Sequence, residues 1–290
     1  MGMRLLEITV PVFGVVLLAY IYGRLRPTDM GAANRLNIVI FIPALIFHSL
    51  TERTSSDATL VSATLAAVVI ILGSGLIAWP VARLLRHKPR TMVPPAMFNN
   101  CGNMGLPLAV FAFGESALPV AVILLVVTGV LQFSLGLWIL HGRLDLASLV
   151  RNPMLLATAA GVVAMLCDWH APTIIEPAVA MLAQVAIPLM LVALGMRLAQ
   201  GSLGDWRAGV LGGLLTPATG LLVALPLLWF MQAPEPLAGM LILYAALPPA
   251  VMNYMLAEQA RQEPDTVAAV VAVGNAMALV IIPETLWFVL

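Results

Sequence analysis

The chain has 290 residues, is 61% hydrophobic and only 10% charged, and has a mean hydropathy of +1.01. Soluble domains average about 45–50% apolar and about 25% charged, so a water-soluble enzyme is excluded and no stretch is polar enough for a separate soluble domain. Its 14 basic and 14 acidic residues cancel, so no net field points to nucleic acid.

The first apolar run, Leu5 to Tyr22, is preceded only by Arg4 and followed by Arg24 and Arg26. A secretory signal carries its positive charge before the apolar core, so this run is expected to be a retained span. Apolar runs of about 20 residues between charged or turn-rich breaks predict ten spans. They are 5–23, 34–50, 59–83, 91–114, 117–140, 152–169, 175–198, 207–231, 237–257 and 266–288. Ten spans place both termini on one side, with Arg4 and Arg53 as the only basic residues there. The other twelve, among them Lys88, Arg151 and Arg197, fall on the opposite side. This is the asymmetry of a membrane protein with its basic loops in the cytoplasm, so both termini are expected outside. Six tryptophans (79, 138, 169, 206, 229 and 287) fall near span ends, where interfacial anchors sit. Cys101 and Cys167 both lie in apolar segments and suggest no disulfide framework.

Span four contains Phe98-Asn-Asn-Cys-Gly-Asn-Met-Gly-Leu-Pro107. Asn99, Asn100 and Asn103 bring amides into hydrocarbon, and Gly102, Gly105 and Pro107 weaken the helix. Unpaired backbone groups in lipid cost several kcal/mol each, so irregular backbone here must be buried or line a wet cavity. A kinked helix with its amides bonded to neighbours is the bland alternative. Span nine is interrupted at Leu247-Pro-Pro-Ala-Val-Met-Asn253. An offset of 145 residues sets Pro43 against Pro188, span three against span eight, and Asn103 against Pro248. Two five-span repeats, 1–145 and 146–290, would insert with opposite topology. Inverted repeats with a discontinuous helix in each are a signature of secondary transporters.

The interior is poor in charge. Glu258 and Glu284 lie near span ends, and no acid falls at mid-membrane, where an ion-carrying aspartate would be needed. What remains is amides and the open ends of half-helices, each worth roughly +0.5 charge. Two such ends suit one carboxylate, whereas a dianion would need a proton or cation beside it. Gln132 and Asn275 are candidates for a coupling-ion site or for polar glue. His48, a titratable ring in an apolar setting, is a candidate for proton coupling or for interfacial packing. Cys101 is expected to react with thiol reagents and to be protected by substrate. Gly209-x-x-x-Gly213 reads as close helix packing rather than a dimer contact.

With these residues in view the chain resembles the auxin efflux carrier family, in its bacterial branch of malonate and organic-acid permeases. The likeness runs the whole length. It is most specific at Asn37-x5-Pro43-Ala-Leu45, at Asn99-Asn100-x2-Asn103-x-Gly105-Leu-Pro107-Leu108, at Ile187-Pro-Leu189 with Gly195, and at Ala246-Leu-Pro248-Pro249-Ala-Val251. The resemblance implies an all-α bundle like that of bile-acid symporters and sodium/proton antiporters, with spans four and nine crossing at the membrane centre. It implies a scaffold of spans one, two, six and seven, and a transport domain of spans three to five and eight to ten. The long soluble loop of many plant members is absent, since only His141 to Arg151 connects spans five and six.

The function expected is secondary transport of a small organic carboxylate across the bacterial inner membrane by alternating access, with no cofactor or metal. Substrate contacts are expected at Asn99, Asn100, Asn103, Gly105, Pro107, Pro248, Pro249 and Asn253. Gln132, Asn275 and His48 are the candidates for a coupling ion or proton. Expected partners are the carboxylate, lipid, a proton or sodium ion, and a second copy in a homodimer. Sodium-coupled symport and an anion channel are the alternatives. An intramembrane protease would need paired aspartates, Gly-x-Ser-x-Gly or His-Glu-x-x-His. Gly73-Ser-Gly75 matches none of these, and no phosphate-binding loop is present.

Overall fold

A computed structural model describes residues 2–52, 56–142, 151–167, 169, 171–201 and 205–290. The repeat boundary expected at 145–146, and Arg53 and Arg143 of the charge count, lie outside the described residues. In chain order the helices are α1 (Gly2–Leu25), α2 (Gly31–Thr51), α3 (Asp57–Leu84), α4 (Pro89–Met97), α5 (Cys101–Phe113) and α6 (Glu115–His141). They continue as α7 (Pro153–Leu166), α8 (Glu176–Gln200), α9 (Trp206–Met231), α10 (Leu237–Ala246), α11 (Val251–Ala260) and α12 (Pro264–Val289). Seven of these, α1, α2, α3, α6, α8, α9 and α12, are long and apolar enough to cross a membrane unbroken. The remaining expected spans are the ones that are divided (α4 with α5, α10 with α11) or short (α7).

The interruptions have local causes. Pro94 and Pro95 remove two N–H donors from α4, and the chain leaves the helix at Phe98 (φ −108°, ψ 96°) just before two asparagines, which favour non-helical backbone. In span nine Pro248 disfavours helix at the preceding residue, and Leu247 is extended (φ −63°, ψ 147°). The two extended stretches cross and pair as an isolated antiparallel bridge, Asn99 with Pro249. Asn100 N–H donates to Pro248 O at 2.7 Å and Ala250 N–H to Phe98 O at 3.0 Å. Each break thus supplies the partner that the other lacks in hydrocarbon. At this crossing the paired positions are 150 apart (249 − 99), not 145. Asn103 and Asn253 are each the third residue of their half-helices.

Packing falls into two groups. α1 lies along α8, and α2 packs on α7 and α8; α9 packs on α3 and α12, and α3 packs on α4 and α6. Small residues set the spacing. A side chain at Gly195 of α8 would strike the backbone of α1 at Val16, and one at Gly213 of α9 would come 2.8 Å from the Gly274 backbone of α12. Gly209-x-x-x-Gly213 is thus a helix-packing stripe, as expected. Large apolar side chains such as Leu76, Ile174 and Phe230 point outward, the distribution for a protein whose solvent is lipid. All six tryptophans are exposed.

Candidate functional site

A cavity of about 380 Å³ lies between the α2–α7–α8 group and the crossing. One wall is the crossing itself: Asn99 to Asn103 from the first break, and Ala250, Val251 and Met252 from the second. The first turns of α5 and α11 both open onto it. A helix leaves its first N–H groups without intrahelical partners and holds positive potential there, so two such ends face one volume.

The amides around the crossing divide into two kinds. Four are buried and bonded to one another across the breaks. Asn100 Nδ2 donates to Asn275 Oδ1 at 2.8 Å, and Asn275 Nδ2 donates to Pro249 O at 2.9 Å and Val271 O at 2.8 Å. On the other side Gln132 Nε2 donates to Asn253 Oδ1 at 2.9 Å, and Asn253 Nδ2 to Phe98 O at 2.8 Å. A residue from α12 and one from α6 therefore each brace the opposite break. This is a polar-glue arrangement for Gln132 and Asn275, and it engages one amide donor each of Asn100 and Asn253.

The second kind keeps at least one amide atom unengaged. Asn103 is half-buried, lines the cavity and makes no side-chain hydrogen bond among the described residues. Asn99 donates Nδ2 to Tyr244 O at 2.6 Å, which fixes its amide orientation, and leaves Oδ1 buried without a donor. Asn37, on α2, also lines the cavity with a buried, unpartnered Oδ1. A buried amide without a partner costs about 1–3 kcal/mol, and cavity-lining positions are where such atoms serve a bound group. The sequence marks Asn37 within a motif but does not identify it as a cavity residue. Its helix opens into a π-turn, Asn37–Phe41, as do those at Cys101–Gly105 and Gln132–Gly136. Each π-turn starts at a cavity-lining residue, and π-turns recur at functional sites.

The other expected positions lie apart. Gly105 and Pro107 are buried behind the crossing, and a side chain at Gly105 would strike Leu247. Pro248 and Pro249 build the bridge but do not line the cavity. His48 does not reach it either, and its Nε2 lies 3.3 Å from Glu52 near the end of α2. Cys101 does line the cavity, though only 5% exposed, while Cys167 is exposed. Arg197 of α8 lines the cavity although the sequence marks it only as a basic span end. Linear spacing reports depth along a helix and not the direction a long side chain takes.

A family model described as membrane transport protein matches residues 5–146 and 142–287. An uncharacterized transporter of Methanothermobacter thermautotrophicus is 29% identical over 300 residues, covering 98% of this chain and 97% of that protein. A protein of Rhizobium meliloti, provisionally named a malonate transporter, is 26% identical over 284 residues, covering 87% and 85%. Another uncharacterized transporter, from Methanocaldococcus jannaschii, is 22% identical over 307 residues, covering 98% and 99%.

Proposed function

Because the chain belongs to the membrane transport protein family, and is thus a multi-pass transporter rather than an enzyme, we propose that it carries a small organic carboxylate by alternating access. The observation that carries this reading is that the first turns of α5 and α11 open onto one cavity beside the unengaged amide of Asn103. The substrate carboxylate sits against those N–H groups, with Asn103 as an added donor. Asn100 and Asn253 act by holding the crossing together. The name of the Rhizobium relative, and the likeness to auxin efflux carriers, support this substrate class.

The fold reading that accompanies it is two inverted five-span repeats. The two-part family match, meeting near residue 145, supports that division. The pairing of α1 with α8 and of α2 with α7 and α8 supports a scaffold past which the remaining helices travel with the crossing, as in an elevator. The chain resides in the bacterial inner membrane with both termini outside, as a homodimer. The cavity is bordered by Asp29, Gly31 and Gln200, all on the expected cytoplasmic side, which supports reading it as an inward-facing vestibule.

Sodium-coupled symport is a second reading, favoured by the buried, donor-less oxygens of Asn37 and Asn99, two residues that line the same cavity. One titration separates the readings. Carboxylate binding to the purified protein is measured by calorimetry with and without sodium. Asn103→Ala is expected to weaken binding by about 1 kcal/mol or somewhat more, and Asn103→Asp by more, because it sets a like charge beside the anion. Unchanged binding in Asn103→Asp overturns the site, and sodium-dependent binding selects symport.

A further inference from the structure

Arg197 stands in the last two turns of α8, half-buried against the cavity. No carboxylate among the described residues comes within ion-pair distance of it, and its guanidinium makes no hydrogen bond to them. The acids around it are Asp29, which lines the cavity, and Glu258 and Asp265, whose charges reach Tyr254, and none of them pairs with Arg197. Asp29 is exposed and accepts the Gly31 N–H at 2.8 Å, and Glu258 accepts the Tyr254 hydroxyl at 2.7 Å. What Arg197 does contact is the ring of Tyr254, with its guanidinium carbon 4.5 Å from the ring centre. Stacking fixes the plane of the fork and leaves its edge N–H groups free for an anion.

The position of that fork follows from two contacts. Tyr254 is the fourth residue of α11 and its hydroxyl reaches Glu258 one turn further on, so the guanidinium lies beside that half-helix, about one turn from its start. At the far end of the same wall, Met190 lies about 4.0 Å from where a side chain at Gly102 would begin. From Met190 to Arg197 is seven residues of α8, roughly 10 Å. The wall therefore runs from the open first turn of α5 to a free guanidinium, a span that a short diacid and the reach of an arginine cover together. Two half-helix ends supply about one positive charge and Arg197 adds a full one.

We infer that Arg197 binds a second carboxylate, so that the site selects small dicarboxylates over monocarboxylates and takes them as dianions without an accompanying proton or cation. This rests on the carboxylate reading of the crossing and names its substrate class. The shorter amide variants of the crossing test the first carboxylate, whereas Arg197 tests the second.

The experiment measures malonate and propionate binding to the purified full chain, at a pH where both acids are fully ionised and without sodium. The parent is expected to prefer malonate. Arg197→Met and Arg197→Gln are expected to lose that preference, weakening malonate on the order of tenfold to a hundredfold while leaving propionate unchanged. Asn103→Ala is expected to weaken both acids. Equal affinity of the parent for the two acids, or a malonate preference that survives in either Arg197 variant, overturns the proposal while leaving the crossing as a carboxylate site. Loss of preference in Arg197→Gln with an unaltered ligand-free melting temperature excludes misfolding as its cause. Failure of Asn103→Ala to affect either acid overturns the carboxylate reading itself.

Discussion

Asn103 and Asn275 carry the same amide in different company. The Asn275 side chain makes three hydrogen bonds, two of which hold α12 to both breaks while the third returns to Val271 O of its own helix, whereas that of Asn103 faces the cavity unbonded. Asn275→Leu leaves the amide of Asn100 and the carbonyl of Pro249 without partners, at about 1–3 kcal/mol each, and is expected to lower the melting temperature of the ligand-free protein. Asn103→Ala is expected to leave that temperature nearly unchanged and to reduce ligand-induced stabilisation. A melting series in detergent, with and without carboxylate, checks the contrast; equal ligand-free losses would place Asn103 in the structural network. At this scale the sequence indicates which amides matter but not how they divide. Residue type marks Asn99, Asn100, Asn103 and Asn253 alike, and only three-dimensional pairing separates the bonded from the free. Arg197 escapes notice for a related reason, since a basic residue near a span end already has an explanation in membrane topology.

Among elements, the discontinuities are legible because proline and asparagine act locally. Pro248-Pro249 and Asn99-Asn100, set in the middle of apolar runs, weaken helix locally, so both breaks can be placed from composition. The pairing register cannot, because it depends on contacts between residues far apart in the chain. A second joint between distant elements lies outside the apolar region, where Glu263, just before α12, accepts Lys88 Nζ and Thr91 Oγ1, each at 2.6 Å. The Lys88 bond, seconded by Thr91, holds the Glu263 carboxyl below its usual range. A carboxyl lowered on folding contributes stability that is full above its unfolded value, about 4.3, and is lost as pH falls through the folded value. Glu263→Gln is expected to flatten the fall in melting temperature below about pH 4.3 and to have a small effect at neutral pH, because the pair is exposed and screened. Parallel acid profiles for parent and variant would mean the joint contributes nothing.

For the whole molecule, orientation is the property most open to direct test. Arg90, exposed at the start of α4, and Glu115, exposed at the start of α6, are expected on opposite faces of the membrane, with Arg90 in the cytoplasm. With Cys101 and Cys167 replaced, an impermeant thiol reagent on intact cells should label a cysteine at 115 and spare one at 90. The reverse pattern would invert the topology. The charge asymmetry makes this readable from sequence, whereas the two packing groups depend on which helices touch and leave no linear trace. The crossing also has a consequence for how the chain is made. Phe98 O and Asn100 N–H take their partners from Ala250, Asn253 and Pro248, about 150 residues later in synthesis. At roughly 5–20 residues per second, the first break waits on the order of ten to thirty seconds in the membrane before its complement emerges. During that interval the nascent chain must be sheltered by the insertion machinery, by water or by its own amides. A slowed ribosome or a truncated message therefore leaves a half-inserted chain with an open polar break, a ready mark for membrane proteases.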